Sequence, residues 1–162
     1  MTAIHFPAGD IIEVGSADIE RLKAAALQSP NGRARYCFHQ DDDSVVHDML
    51  IAFCGYGYVR AHRHPRKAET LHAVEGEFDV VIFDDAGREV RRIRMGIPGG
   101  SRTVMYRLPA GIWHTVVPLT PAVVIHEVTQ GPFSLDGTEF PAWAPVADDA
   151  AGVKAFLARL AG

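Results

Sequence analysis

His62 and His64 stand two residues apart. On a strand, positions i and i+2 point to one face, whereas on a helix they would diverge by about 200°. Only a strand lets both imidazoles bind one ion. Pro65 ends that strand, Arg66-Lys67-Ala68 makes a short turn, and Glu69 opens the run to Val74, so its carboxylate can swing back towards both rings. Much further along, Pro109-Ala110-Gly111-Ile112-Trp113-His114 reads as a turn that delivers a third imidazole at the head of Thr115-Val116-Val117. Three imidazoles and one carboxylate form a donor set that divalent Fe, Mn, Ni, Co or Zn accepts, with positions left open for water or substrate. The expectation is one divalent transition metal per chain, held by His62, His64, Glu69 and His114.

Alternation carries the same face back from His62 to Arg60, Tyr58 and Tyr56. An arginine turned inward beside a metal is costly unless an anion meets it, so Arg60 is a candidate to receive a carboxylate or phosphate, with Tyr58 as donor or proton relay. The other reading places Arg60 at the barrel mouth with its guanidinium in water. In the earlier run, Ala34, Tyr36 and Phe38 form an apolar face and leave Arg33, Arg35, Cys37 and His39 on the other. If that second face looks outward, the segment is an ordinary edge strand. If it borders the metal, Arg35 and His39 become candidates for binding a polar ligand. His72 points away from Glu69, and His5 and His47 lie in polar stretches and read as solvated. One of His126 and Glu127 faces inward, and the alternation does not say which.

The elements that position these residues read as follows. Residues 16 to 29 form an amphipathic helix capped by Ser16, with Ile19, Leu22 and Ala26 on one face, and Pro30-Asn31-Gly32 stops it. From Arg33 to about Thr129 the pattern is short runs rich in Val, Ile, Phe and Tyr between Gly, Pro and Asp clusters. The clearest hairpin joins Phe78–Phe83 to Glu89–Met95 through Asp84-Asp85-Ala86-Gly87. Further runs lie at 103 to 108, 112 to 117 and 122 to 129. Arg88, Arg91, Arg92 and Arg94 read as a solvated face. Residues 131 to 147 read as irregular chain packed down by Phe133, Phe140 and Trp143, before a last helix opened by Asp148 and Asp149. This is an all-β domain, a sandwich or closed barrel that leaves no open sheet edges.

The whole chain of 162 residues, 48% hydrophobic, fits one domain: a barrel over about 33–130 with helical flanks over about 16–29 and 148–160. A net charge of -4 argues against a nucleic-acid partner. The longest apolar run, Met49 to Cys54, is far short of the roughly 20 residues of a membrane span. The N-terminus lacks the basic and apolar regions of a signal peptide, and the two cysteines form no disulfide framework, so a cytoplasmic location is expected.

Gly57-(x4)-His62-Arg63-His64-(x4)-Glu69-(x6)-Gly76 resembles the first cupin motif, and Pro109-Ala110-Gly111-Ile112-Trp113-His114 resembles the second. Gly57 sits one residue nearer the first histidine than usual, Thr103 stands for the second motif's leading Gly, and Pro118 for its closing Asn; none of these removes a ligand. Arg33–His39, Tyr58–Pro65, Trp113–Pro118 and His126–Phe133 together resemble the WbuC-type cupin-fold metalloproteins over roughly residues 16 to 147. The resemblance implies a jelly-roll-like double-sheet barrel with one metal in its lumen, and some such proteins lie among genes for surface-polysaccharide assembly. It supplies no reaction.

Two functions follow as expectations. The first is a metalloenzyme, an isomerase, lyase or oxygenase, for a small anionic substrate such as a saccharide or sugar-nucleotide derivative. The second is a metal-dependent binding or sensing module without turnover. The expected partner is a small anionic molecule, with neither nucleic acid nor membrane; assembly as a homodimer is left open.

Overall fold

A computed structural model describes residues 3–5, 9, 11–55 and 57–161, so Tyr56 lies outside the described residues. Helix α1 (Ser16–Gln28) starts one residue earlier than its sequence suggests. Gly15 is the N-cap, and the Asp18 carboxylate accepts its backbone N–H at 2.9 Å. Leu22 and Ala26 are the buried residues of this helix. They pack on Ala34, Leu50, Ala52 and Val124, on the outer face of the larger sheet.

That sheet has six strands in the order β1-β2-β3-β9-β4-β7: β1 (Ala3–His5), β2 (Arg33–Cys37), β3 (Val46–Cys54), β9 (Ala122–Gln130), β4 (Glu69–Glu75) and β7 (Met105–Leu108). The second sheet has three, in the order β6-β5-β8: β6 (Glu89–Gly96), β5 (Glu77–Phe83) and β8 (Trp113–Pro118). All pairings are antiparallel except β1 with β2. The inner faces meet in one core containing Ile51, Phe53, Leu71 and Ile125 from the large sheet and Phe78, Val80 and Met95 from the small one. Burying each such side chain contributes about 1.5–3 kcal/mol, so the sandwich is held together by its alternating inward residues.

The expected hairpin is present. Asp84 Oδ1 accepts the N–H groups of Ala86 and Arg88 at 3.0 and 2.9 Å, and Gly87 takes φ +78° beneath the Trp143 ring. On the outer face of the small sheet, Phe156 and Leu160 of α2 (Ala150–Ala161) pack with Val81, Phe83, Trp113 and Ala144. Asp149 precedes α2 and accepts the Gly152 N–H through Oδ1 at 2.9 Å.

Several expectations fail locally. Trp143 packs between Phe83 and Phe156, but Phe133 and Phe140 are exposed. His47 is buried rather than solvated: its ring stacks on His39 at 4.1 Å and its Nε2 lies 3.2 Å from the Asp42 carbonyl. Arg92 is not part of a solvated face, because it pairs with Asp79 and Glu89 at 2.8 and 2.7 Å. Among the described residues no helix is long and apolar enough to cross a membrane.

Candidate metal centre

His62 lies in no named strand. Residues 57–64 run extended along the free side of β8, where His62 and His114 form an isolated antiparallel bridge. Their backbones exchange two hydrogen bonds of 2.9 Å, which puts the side chains directly opposite on one face. His64 follows two residues on, and its carbonyl accepts the Gly111 N–H at 2.9 Å, tying this segment to the turn before β8. The three rings gather with centroids 4.4 Å (His62–His114), 5.2 Å (His62–His64) and 6.2 Å (His64–His114) apart. Glu69 comes from the opposing sheet. Its Oε1 lies 3.0 Å from His114 Nε2 and its Oε2 3.6 Å from His64 Nε2.

Each ring has its other nitrogen against a backbone carbonyl. His62 Nδ1 lies 2.8 Å from Arg60 O, His114 Nδ1 3.0 Å from Ile112 O, and His64 Nδ1 3.2 Å from Gly137 O. A carbonyl only accepts, so the network assigns the proton to Nδ1 in His62 and His114, and Gly137 O favours the same in His64, whose Nδ1 also lies 3.2 Å from Thr138 Oγ1. Nε2 of His62 and His64 is then left to ligate an ion, whereas His114 Nε2 donates to Glu69 and an ion would take the place of that proton. The donor set therefore fits a divalent transition metal in chemistry and tautomer. It is gathered rather than closed: among the described residues no three His, Cys, Asp or Glu side chains have converged as they do round an ion. Glu69 is instead engaged with His114.

Burial, reinforced by His114, drives His62 down to about 3, so this imidazole is neutral at ordinary pH. Burial opposes charge on Glu69, yet His114, His62 and His64 overcome it and hold the carboxyl below its usual range. Burial likewise opposes charge on His114, and Glu69 outweighs it to raise this imidazole. Tyr106 adds a hydroxyl 3.4 Å from Glu69 Oε1. Sequence reading missed it, although in β7 Tyr106 pairs with Leu71 while Leu108 pairs with Glu69 itself.

The register settles what alternation left open. Inward positions of the large sheet form successive rows: His47, Thr129, Glu69; then Cys37, Met49, Glu127, Leu71; then Arg35, Ile51, Ile125, Ala73; then Arg33, Phe53, Val123. Glu127 therefore faces the lumen, and burial followed by repulsion from Glu69 pushes its carboxyl up to about 7. His126 faces outward, stacked on His72 and bonded to Asp48 at 2.5 Å. Arg33, Arg35 and Cys37 look inward, so β2 is no ordinary edge strand. Cys37 is buried among apolar side chains and its thiol is pushed up to about 11, chiefly by burial. His39 faces His47, and its Nδ1 lies against the Asp48 backbone.

Tyr58 does not share the histidine face. Its hydroxyl donates to the Pro145 carbonyl at 2.8 Å and its ring meets Phe156 at the outer cluster. Residues 57–61 lack regular ladder pairing, so strict alternation lapses before His62. Arg60 stays nearby but is anchored: Nε donates to Ala144 O at 3.2 Å, and the guanidinium lies 4.9 Å over Phe140, whose ring also approaches His62.

The family described as Domain of unknown function (DUF6016) matches residues 14–95, just over half of the chain. The chain belongs to that family. No curated protein matches this DUF6016 chain in sequence. Among solved structures it is similar to oxalate oxidase in complex with the substrate analogue glycolate, with TM-score 0.50 and 19% identity over 69% of this chain and 56% of that one. It is also similar to CapF with the inhibitor 3-isopropenyl-tropolone, with TM-score 0.54 and 16% identity over 66% of this chain and 31% of that one. The chain thus spans about half the length of the first and a third of the second. This likeness shows the fold, a cupin-type double-sheet sandwich.

Proposed function

We propose that this DUF6016 chain is a mononuclear metal-binding cupin that acts on a small anionic substrate. The observation that carries the reading is the set of three Nδ1-to-carbonyl contacts, which leave Nε2 of His62, His64 and, once an ion replaces its proton, His114 as ligands around the Glu69 carboxylate. A divalent ion bound there supplies Lewis-acid polarisation of a substrate oxygen. The chain's own groups do the rest. Glu127 faces the lumen, and burial favours its protonated form, so it is the group placed to hold a proton there, which favours turnover over a passive binding module. Arg35 lies on the inward face, while Arg60 stands beside His62 at the edge of the cluster. A saccharide or sugar-nucleotide substrate, and the WbuC-type grouping, are the finer form of this reading and rest on motif resemblance.

The test is elemental analysis of protein purified without chelators. Wild type should carry one divalent transition metal per chain, and His62→Ala should lose it. Full occupancy in the variant would remove the proposal.

A further inference from the structure

Three of the six half-buried arginines among the described residues have an oxygen for Nε. Arg60 donates to Ala144 O, Arg63 to Glu139 and Arg92 to Glu89. Arg33 and Arg35 differ. Both Nε atoms are buried and neither has a hydrogen-bond partner. They stand two apart on the inward face of β2, in register with Phe53 and Ile51 of the core. The Arg33 guanidinium lies 5.1 Å over the Phe53 ring, which holds its plane. No carboxylate of the described residues forms an ion pair with either; Glu127, two strands away on the same inward face, acts on them only through its charge. Arg33 is itself lowered to about 10, first by burial and then by Arg35.

Two like charges in adjacent rows with their Nε atoms buried are costly unless an anion joins them. Nε–H with a neighbouring Nη–H is the edge of the guanidinium that grips a carboxylate or phosphate through two parallel bonds. On both residues the Nε–H of that edge is unpaired. We propose that Arg33 and Arg35 form an inward seat for the oxyanion group, carboxylate or phosphate, of a small ligand held in the barrel. This rests on the proposed function for what lies at the ligand's other end. The rows run Glu69, Glu127, Arg35, Arg33 over the inward face of the large sheet, so from Arg35 the histidine end of the sandwich lies beyond the Glu127 row. Such a ligand is a short-chain acid or phosphate with an oxygen donor at the opposite end.

The experiment is calorimetric titration of the protein as purified with malonate and, separately, inorganic phosphate, with metal content measured on the same samples. One probe should bind saturably, and which one does distinguishes a carboxylate seat from a phosphate seat. Arg35→Gln and Arg33→Gln should each weaken binding tenfold or more with metal content unchanged. Without anion, each variant should melt no lower than wild type, because an unpaired buried cation has been removed; a purely structural arginine would instead leave a destabilised protein. If Arg35→Gln does not melt cooperatively, Arg35→Lys makes the same comparison, since it keeps the charge and loses the fork. Wild type binding neither probe, or variants binding as wild type does, would overturn the seat. Metal loss in wild type with anion binding intact would overturn the metal reading and leave the seat standing.

Discussion

His62 and His114 face each other across an antiparallel bridge, exchanging two backbone hydrogen bonds of 2.9 Å, although neither sequence neighbourhood is near the other along the chain. Their alignment depends on the turn that delivers His114. Gly111 there has φ +82° and donates its N–H to His64 O. No neighbouring atom crowds the position, so glycine is needed for its backbone conformation alone. Gly111→Ala should cost about 1 kcal/mol of stability, read by denaturant unfolding, and should weaken metal binding measurably. A variant as stable and as metal-loaded as wild type would show that the turn tolerates an ordinary residue.

Glu127 makes the stability of the metal-free protein depend on pH. Its folded value of about 7 lies above the ordinary 4.5, so the folded state holds this proton more tightly than the unfolded one. Its contribution is full below about pH 4.5 and is lost as pH rises through 7. Glu127→Gln cannot ionise, so its stability relative to wild type should rise over that window, by on the order of 1–3 kcal/mol. Denaturation midpoints of both proteins from pH 4 to pH 8 provide the measurement. Parallel curves would place the Glu127 carboxyl in solvent.

The apolar core closes without the ion, since Phe53, Phe78, Ile51, Leu71 and Met95 are all fully buried by protein atoms. An ion present at about a hundred times its dissociation constant adds only about 2.7 kcal/mol. Chelation should therefore lower the melting temperature by several degrees and leave a cooperative β-rich transition, followed by circular dichroism after metal removal is confirmed. Loss of any cooperative transition would make the ion part of the folding core.

Much of this was legible in the sequence where local chemistry dictates geometry. The Asp84–Gly87 turn fixes the β5–β6 hairpin, and the side chains of His62, His64, Glu69 and His114 lie near one another because i, i+2 spacing and a cross-strand bridge hold without a full ladder. Tyr58 was misplaced because alternation extrapolates only along paired strand, and residues 57–61 pair with neither sheet ladder. His47 looked solvated because its sequence neighbours are polar, yet β3 pairing turns it inward onto His39. The choice between His126 and Glu127 needed register with β3 and β4, which no local pattern contains.

The proposed centre has three imidazoles and one carboxylate on a single ion inside the sandwich. X-ray absorption at the edge of the bound metal counts those donors directly. The expected spectrum shows three imidazole nitrogens and a carboxylate oxygen at about 2.0–2.2 Å, and two imidazoles when His114→Ala is loaded with the same metal. A sulfur donor in the first shell, or an imidazole count unchanged in His114→Ala, would contradict it.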